Sequence, residues 1–145
     1  MTASRFGTGV ALHARVTAPR IVVPGATVAV TRRCTFRKAF LSPWHADVPR
    51  NWLFALAHAQ LRTDVAVHLG QCVVSHHHLD VTPERDNFPE FLQLLHHDIS
   101  SALNVLLARE RYDRPGELFD KRSTHVMRCL DAAAQATSLN YTFLN

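Results

Sequence analysis

Hydrophobic positions follow two different spacings along the chain, and the longest regular stretch is helical. From Phe88 to Arg109 the apolar residues recur every three or four positions, which predicts a long amphipathic helix. The same spacing over residues 49–62 predicts a second helix, and Pro49 suits its N-terminus. A third helix is predicted over residues 131–145, where Asp131 can cap the first turn.

Shorter runs rich in β-branched or alternating apolar residues predict four strands. They cover residues 26–33, 65–74, 76–82 and a stretch within 117–130. Only Ser75 separates the second run from the third, so we expect these two strands to form an antiparallel hairpin.

The predicted order is strand, helix, strand, strand, helix, strand, helix. Its first six elements match the ferredoxin-like split βαβ arrangement, an α+β fold with an antiparallel sheet and helices on one face. Residues 1–20 show no sustained period and are expected to form a flexible basic arm. Residues 21–145 are therefore predicted to form a single domain that ends in the third helix.

Composition agrees with one soluble domain. The chain has 145 residues, of which 47% are apolar, and no apolar run approaches the length of a membrane span. Its three cysteines are widely spaced, and their spacing matches neither a disulfide framework nor a CxxC metal-binding motif. We therefore expect a cytoplasmic protein, with a transit peptide at the acid-free start as the alternative.

Positive charge is concentrated before Asp47. Seven of the 16 Lys and Arg residues precede it and no acidic residue does, whereas the other nine are mixed with all 12 acidic residues. An Arg-rich block of this kind favours a phosphate backbone as partner. The alternative is a basic surface that serves solubility alone.

Three consecutive histidines stand in the third predicted strand. Because side chains alternate along a strand, His76, His78 and Asp80 share one face and His77 lies on the other. Two imidazoles two residues apart can converge on a divalent metal ion, with Asp80 as an extra ligand or as the group that orients a histidine. The pattern alone is a weak signal, because many β proteins contain it without a metal.

The last predicted helix carries one of only two tyrosines in the chain. Tyr141 and Asn145 are four residues apart and share a helix face, which would place a phenol nucleophile beside an amide oxygen ligand. The alternative is an ordinary half-buried aromatic next to a frayed terminus. Tyr112 is the rival nucleophile, but it has no ligand partner four residues on.

Three segments together resemble the single-tyrosine HUH transposases, in particular the REP-associated tyrosine transposases and their insertion-sequence relatives. The segments are PGATVAVTRR, CVVSHHHLDV and LNYTFLN. That family has an early strand ending in T-x-R, an N-H-x-H-L stretch with the metal histidines, and Y-x-x-x-N with the nucleophile and third ligand. These motifs fall on Thr31 with Arg32 or Arg33, on His76 and His78, and on Tyr141 with Asn145; Ser75 replaces the usual Asn.

The resemblance implies a DNA transposase that cleaves and rejoins single-stranded DNA through a 5′-phosphotyrosine. Tyr141 is the implied nucleophile, and His76, His78 and Asn145 are the implied ligands of Mg²⁺ or Mn²⁺. The implied partner is single-stranded or hairpin DNA, bound by a monomer or homodimer. The candidates for contacts to the DNA backbone are Arg32, Arg33, Arg37 and Lys38.

Two other classes of function stay open. The chain stops at Asn145, where relatives continue, so the protein can be a truncated, catalytically inactive remnant that binds hairpin DNA or acts as a repressor. It can also be a structural metal-binding protein unrelated to DNA, although the basic block argues against that class.

Overall fold

The computed structural model describes residues 22–110, 117–121 and 124–145. The predicted basic arm, residues 1–20, and the rival nucleophile Tyr112 lie outside the described residues. The elements follow the predicted order: β1 (Val28–Arg33), a short 3₁₀ turn (Thr35–Arg37), α1 (Asp47–Thr63), β2 (Val65–Val73), β3 (His76–Pro83), α2 (Phe88–Arg109), β4 (His125–Arg128) and α3 (Ala132–Leu144).

The four strands form one antiparallel sheet in the order β2-β3-β1-β4. This order is that of the split βαβ arrangement, so the predicted α+β fold is confirmed. The β4 strand is shorter than the stretch predicted for it, because only residues 125–128 pair along β1, while Phe119 makes a single bridge to Cys34.

The hydrophobic core lies between one face of the sheet and the two longer helices. Alternate residues of β1 and β3 are buried there with Trp52 of α1 and Phe91 of α2, and each fully buried aliphatic side chain contributes about 1.5–3 kcal/mol. Gly70 on β2 leaves room for the Trp52 indole, since a Cβ at this position would lie 2.7 Å from Trp52 Cη2 and 2.8 Å from Leu79 Cδ2.

The opposite face of the sheet carries α3, which is held by polar contacts. Ser138 and Thr142, one helical turn apart and both buried, donate hydrogen bonds to the two carboxylate oxygens of buried Asp80. Asp131 caps the helix as predicted, accepting from the backbone nitrogen of Ala134 at 2.7 Å. Among the described residues, no helix is long and apolar enough to cross a membrane.

Candidate functional site

A cavity of about 1500 Å³ opens between α3 and the sheet. Its walls come from β1, β3 and β4, from the Thr35–Arg37 turn, and from residues 117–121. The polar side chains that matter for chemistry include Thr31, Arg33, His76, His78, His125 and Tyr141. The cavity therefore collects most of the residues that the motifs singled out.

His76 and His78 lie side by side at this cavity, with ring centroids 4.8 Å apart and the planes near perpendicular. Thr31 sits opposite His78 on β1, and its Oγ1 lies 3.0 Å from His78 Nδ1. The Nε2 atom of His78 is buried and has no hydrogen-bond partner among the described residues. When Nδ1 donates to Thr31, Nε2 carries the lone pair that a metal ligand needs.

The surroundings of both imidazoles favour the neutral form. Burial lowers the pKa of His76, and the guanidinium of Arg33 lowers it further. Burial also lowers the pKa of His78, with His76 as the next contributor. Adjacent histidines with lowered pKa values suit a divalent ion, because a metal ligand must be the neutral imidazole.

Tyr141 stands against His78. The two rings meet edge to face, with centroids 5.5 Å apart and an interplanar angle of 83°. Tyr141 is 60% exposed, so solvent and a ligand in the cavity can reach it. The contact of α3 with Asp80 fixes its position, because Tyr141 lies between the two anchoring residues Ser138 and Thr142.

Asp80 contacts the last helix, because both of its carboxylate oxygens accept hydrogen bonds from α3. Its predicted role as an extra metal ligand or as the group that orients a histidine stays a prediction. The hydroxyl beside the ring nitrogen of His78 belongs to Thr31. Strand alternation places Asp80 on the same face as His76 and His78. The residues that bond to Asp80 on that face belong to α3, at the far end of the chain.

Asn145 is exposed, and its side chain turns back to its own helix, where Nδ2 donates to the carbonyl of Tyr141 at 2.7 Å. The amide nitrogen closes the last turn of α3, and Asn145 is not among the residues that line the cavity, whereas His76 and His78 are. Among the described residues, no group of three or more His, Cys, Asp or Glu side chains is arranged to hold a metal.

The two arginines at the end of β1 point to opposite faces. Arg33 is exposed and lines the cavity on the face of Thr31. The Nη1 atom of Arg32 is hydrogen bonded to His96 Nδ1 at 2.9 Å and to Thr124 Oγ1 at 3.3 Å, on the α2 side of the sheet. Arg33 thus lies on the same face of β1 as Thr31, as the arginine of the T-x-R motif. A DNA contact by Arg32 stays a prediction.

The other two cations of the basic block are exposed. Arg37 lines the cavity, whereas Lys38 lies with its Nζ 5.8 Å from the ring centroid of Phe40. Of the four predicted DNA contacts, Arg32, Arg33 and Arg37 line the cavity, and Arg33 and Arg37 are the exposed ones among these three.

A buried histidine pair on the α2 side was missed by the sequence analysis. His77 is fully buried, and its Nε2 lies 3.1 Å from Nε2 of His96. Because a guanidinium only donates, Arg32 assigns the acceptor role to His96 Nδ1, and His96 Nε2 then donates to His77. Burial, followed by the charge of Arg32, lowers the pKa of His77 to about 3.

His125 was also missed. It lies directly opposite Thr31 on β4 and lines the cavity. Only the strand register reveals this neighbour, because the sequence does not show which residues of a short fourth strand face β1.

No protein-family model matches the sequence, and no curated protein matches it. Two solved structures share the fold. A protein from Deinococcus radiodurans R1 assigned to the transposases has 14% identity and a TM-score of 0.59, over 88% of this chain and 96% of that one. The REP-associated tyrosine transposase bound to a REP hairpin has 12% identity and a TM-score of 0.64, over 89% of this chain and 71% of that one. The fold of this chain is thus that of the tyrosine transposases.

Proposed function

We propose that the protein is a metal-dependent tyrosine transposase that cleaves and rejoins single-stranded DNA. The observation that carries the proposal is the contact of Tyr141 with His78, whose pKa is lowered by burial and whose Nε2 lacks a hydrogen-bond partner among the described residues. The fold shared with a transposase bound to a REP hairpin supports hairpin or single-stranded DNA as the substrate.

His76 and His78 would hold Mg²⁺ or Mn²⁺, with Asn145 joining them once its amide leaves the carbonyl of Tyr141. When bound, such an ion polarises the scissile phosphate and stabilises charge on its oxygens. These ions prefer oxygen ligands, so a site built on two imidazoles is expected to bind them with modest affinity.

Tyr141 is the proposed nucleophile. Its phenolic oxygen forms a bond to phosphorus while the bond from phosphorus to the 3′ oxygen breaks, giving a 5′-phosphotyrosine and a 3′-hydroxyl. A free phenol has a pKa near 10, so its proton must leave during the attack. The covalent link conserves the energy of the phosphodiester bond, and the reverse step joins a new strand.

Arg33 and Arg37 are the proposed contacts to the DNA backbone, because both are exposed at the cavity that holds Tyr141. Lys38 extends the same basic surface. Each phosphate neutralised by such a residue releases counterions, so binding is expected to weaken as salt rises.

A DNA-binding protein that cannot cut is the second candidate. It is favoured by Asn145, whose amide nitrogen donates to the carbonyl of Tyr141 and which does not line the cavity of the histidines. Such a protein would bind hairpin DNA as a repressor.

One experiment separates the two candidates. The full chain is incubated with labelled hairpin DNA carrying a single-stranded extension, with and without Mn²⁺, and with Tyr141→Phe as the matched variant. A covalent adduct on a denaturing gel that needs both Mn²⁺ and Tyr141 supports the transposase. Salt-sensitive binding without an adduct supports the second candidate, and the absence of both contradicts the two together.

A further inference from the structure

The turn that follows β1 displays an aromatic side chain on a strained backbone. Phe36 has φ 55° and ψ 22°, in the left-handed region, and its side chain is 86% exposed. Arg37 also has φ 55°. Bulky residues rarely adopt this conformation, and an exposed ring gains no burial energy to offset the strain, so such positions point to function.

Hydrogen bonds on both sides hold this turn in place. The backbone nitrogen of Cys34 donates to the carbonyl of Ser75 at 2.8 Å, and that of Thr35 donates to the carbonyl of Leu118 at 2.9 Å. Thr35 Oγ1 also donates to the carbonyl of Glu117 at 2.8 Å. The surrounding structure therefore determines the unusual conformation and presents the Phe36 ring in a fixed place.

The ring stands at the cavity that contains the candidate chemistry. Phe36 lines it together with Tyr141, Arg33 and Arg37, and the acids Glu117 and Asp120 line it with Lys121, whose Nζ pairs with Glu117 at 3.6 Å. An exposed aromatic face beside Arg33 and Arg37 is a combination that binds a single nucleic-acid strand: the cations contact phosphates and the ring stacks on a base.

We propose that Phe36 is a base-stacking residue, which receives an unpaired base of the strand that enters the cavity. The inference rests on the proposed DNA function and deepens it, because it assigns the residue that distinguishes unpaired from paired nucleotides. Stacking requires an exposed π-face and tolerates any base, so the contact selects single strands rather than a sequence.

The test uses the full chain and two hairpin oligonucleotides, one blunt and one with a single-stranded extension containing 2-aminopurine. Phe36→Ala is expected to weaken binding of the extended hairpin about 5- to 150-fold and to abolish quenching of the 2-aminopurine fluorescence. Phe36→Trp should retain both signals, and binding of the blunt hairpin should stay within about twofold. Phe54→Ala is the matched control, since Phe54 is 69% exposed but lies on α1.

Asparagine tolerates the left-handed region better than phenylalanine, so Phe36→Asn removes the ring while easing the strain. Loss of extension binding in this variant, with an unchanged or raised midpoint of thermal unfolding, supports stacking. If the unmodified protein binds the extension and both ring-deleted variants bind it equally well, the stacking role is overturned while the proposed DNA function stands. If the unmodified protein binds neither oligonucleotide, both proposals fall.

Discussion

The rings of His78 and Tyr141 are in edge-to-face contact, with centroids 5.5 Å apart, although one belongs to β3 and the other to the last helix. A buried carboxylate brings them together. Asp80 accepts hydrogen bonds from Ser138 and Thr142, which flank Tyr141 on α3. The geometry of the proposed nucleophile therefore depends on a buried carboxylate of β3.

Replacing Asp80 with alanine is expected to detach α3. The change leaves two buried hydroxyls without their acceptor and should lower the free energy of unfolding by about 2–4 kcal/mol. Urea unfolding measures this, and Asp86→Ala, at an exposed carboxylate, is the control. A variant at Asp80 as stable as the control would show that another contact holds the helix.

Adding a methyl group at Gly70 should strain the core. The new Cβ would lie 2.7 Å from Trp52 Cη2, and overpacking of this kind costs about 1–3 kcal/mol. Gly25→Ala is the comparison, because Gly25 has φ +78° but no neighbour within 4 Å, so its cost is conformational only. Equal thermal midpoints for Gly70→Ala and the unmodified protein would contradict the packing described for Trp52.

Mild acid should destabilise the fold through His77. The unfolded chain protonates this residue near pH 6.5, whereas the folded protein resists protonation down to about pH 3. Stability is therefore lost as pH falls through this window, by up to about 1.4 kcal/mol per pH unit. The groups that face His77 are His96, Arg32, Trp52 and Phe119, and His76 and His78 flank it.

Urea unfolding between pH 7 and pH 5 tests this dependence. His77→Leu is expected to reduce the slope of unfolding free energy against pH, while His97→Leu, at an exposed position on α2, should leave it unchanged. If the His77 variant had the same slope as the unmodified protein, the pH dependence would come from another titrating group.

Thr31→Val should weaken metal binding without touching a proposed ligand. The hydroxyl of Thr31 is the group that fixes His78 Nδ1, and loss of such an orienting contact typically reduces affinity about 10- to 100-fold. Titration calorimetry with Mn²⁺ measures the change, with Thr137→Val, an exposed threonine of α3, as control. Equal affinities for the Thr31 variant and the control would mean that another contact orients His78.

The order of elements could be predicted from the sequence because each carries a local period. The boundaries of α2 follow its apolar spacing, and strand alternation separates His77 from His76 and His78. The order of the first six elements led to the split βαβ fold that the structure confirms. These features depend only on neighbours in sequence or on motif order.

The partners of the site residues could not be predicted, because they are distant in sequence. The bond between Thr31 and His78 spans 47 residues, and those from Asp80 to α3 span 58 and 62. The opposite directions of Arg32 and Arg33 follow from strand alternation, but which of them shares a face with α3 depends on where that helix packs. The left-handed backbone at Phe36 has no sequence signal, since phenylalanine is rare in that region.

Locating the covalent bond between protein and DNA tests most directly whether Tyr141 is the nucleophile. Protein incubated with hairpin DNA and Mn²⁺ is digested with nuclease and protease, and the nucleotide-bearing peptide is sequenced by mass spectrometry. We expect a nucleotide attached to the oxygen of Tyr141 through its 5′ phosphate. A nucleotide on Tyr112, or DNA cleavage without any protein-bound nucleotide, would contradict it.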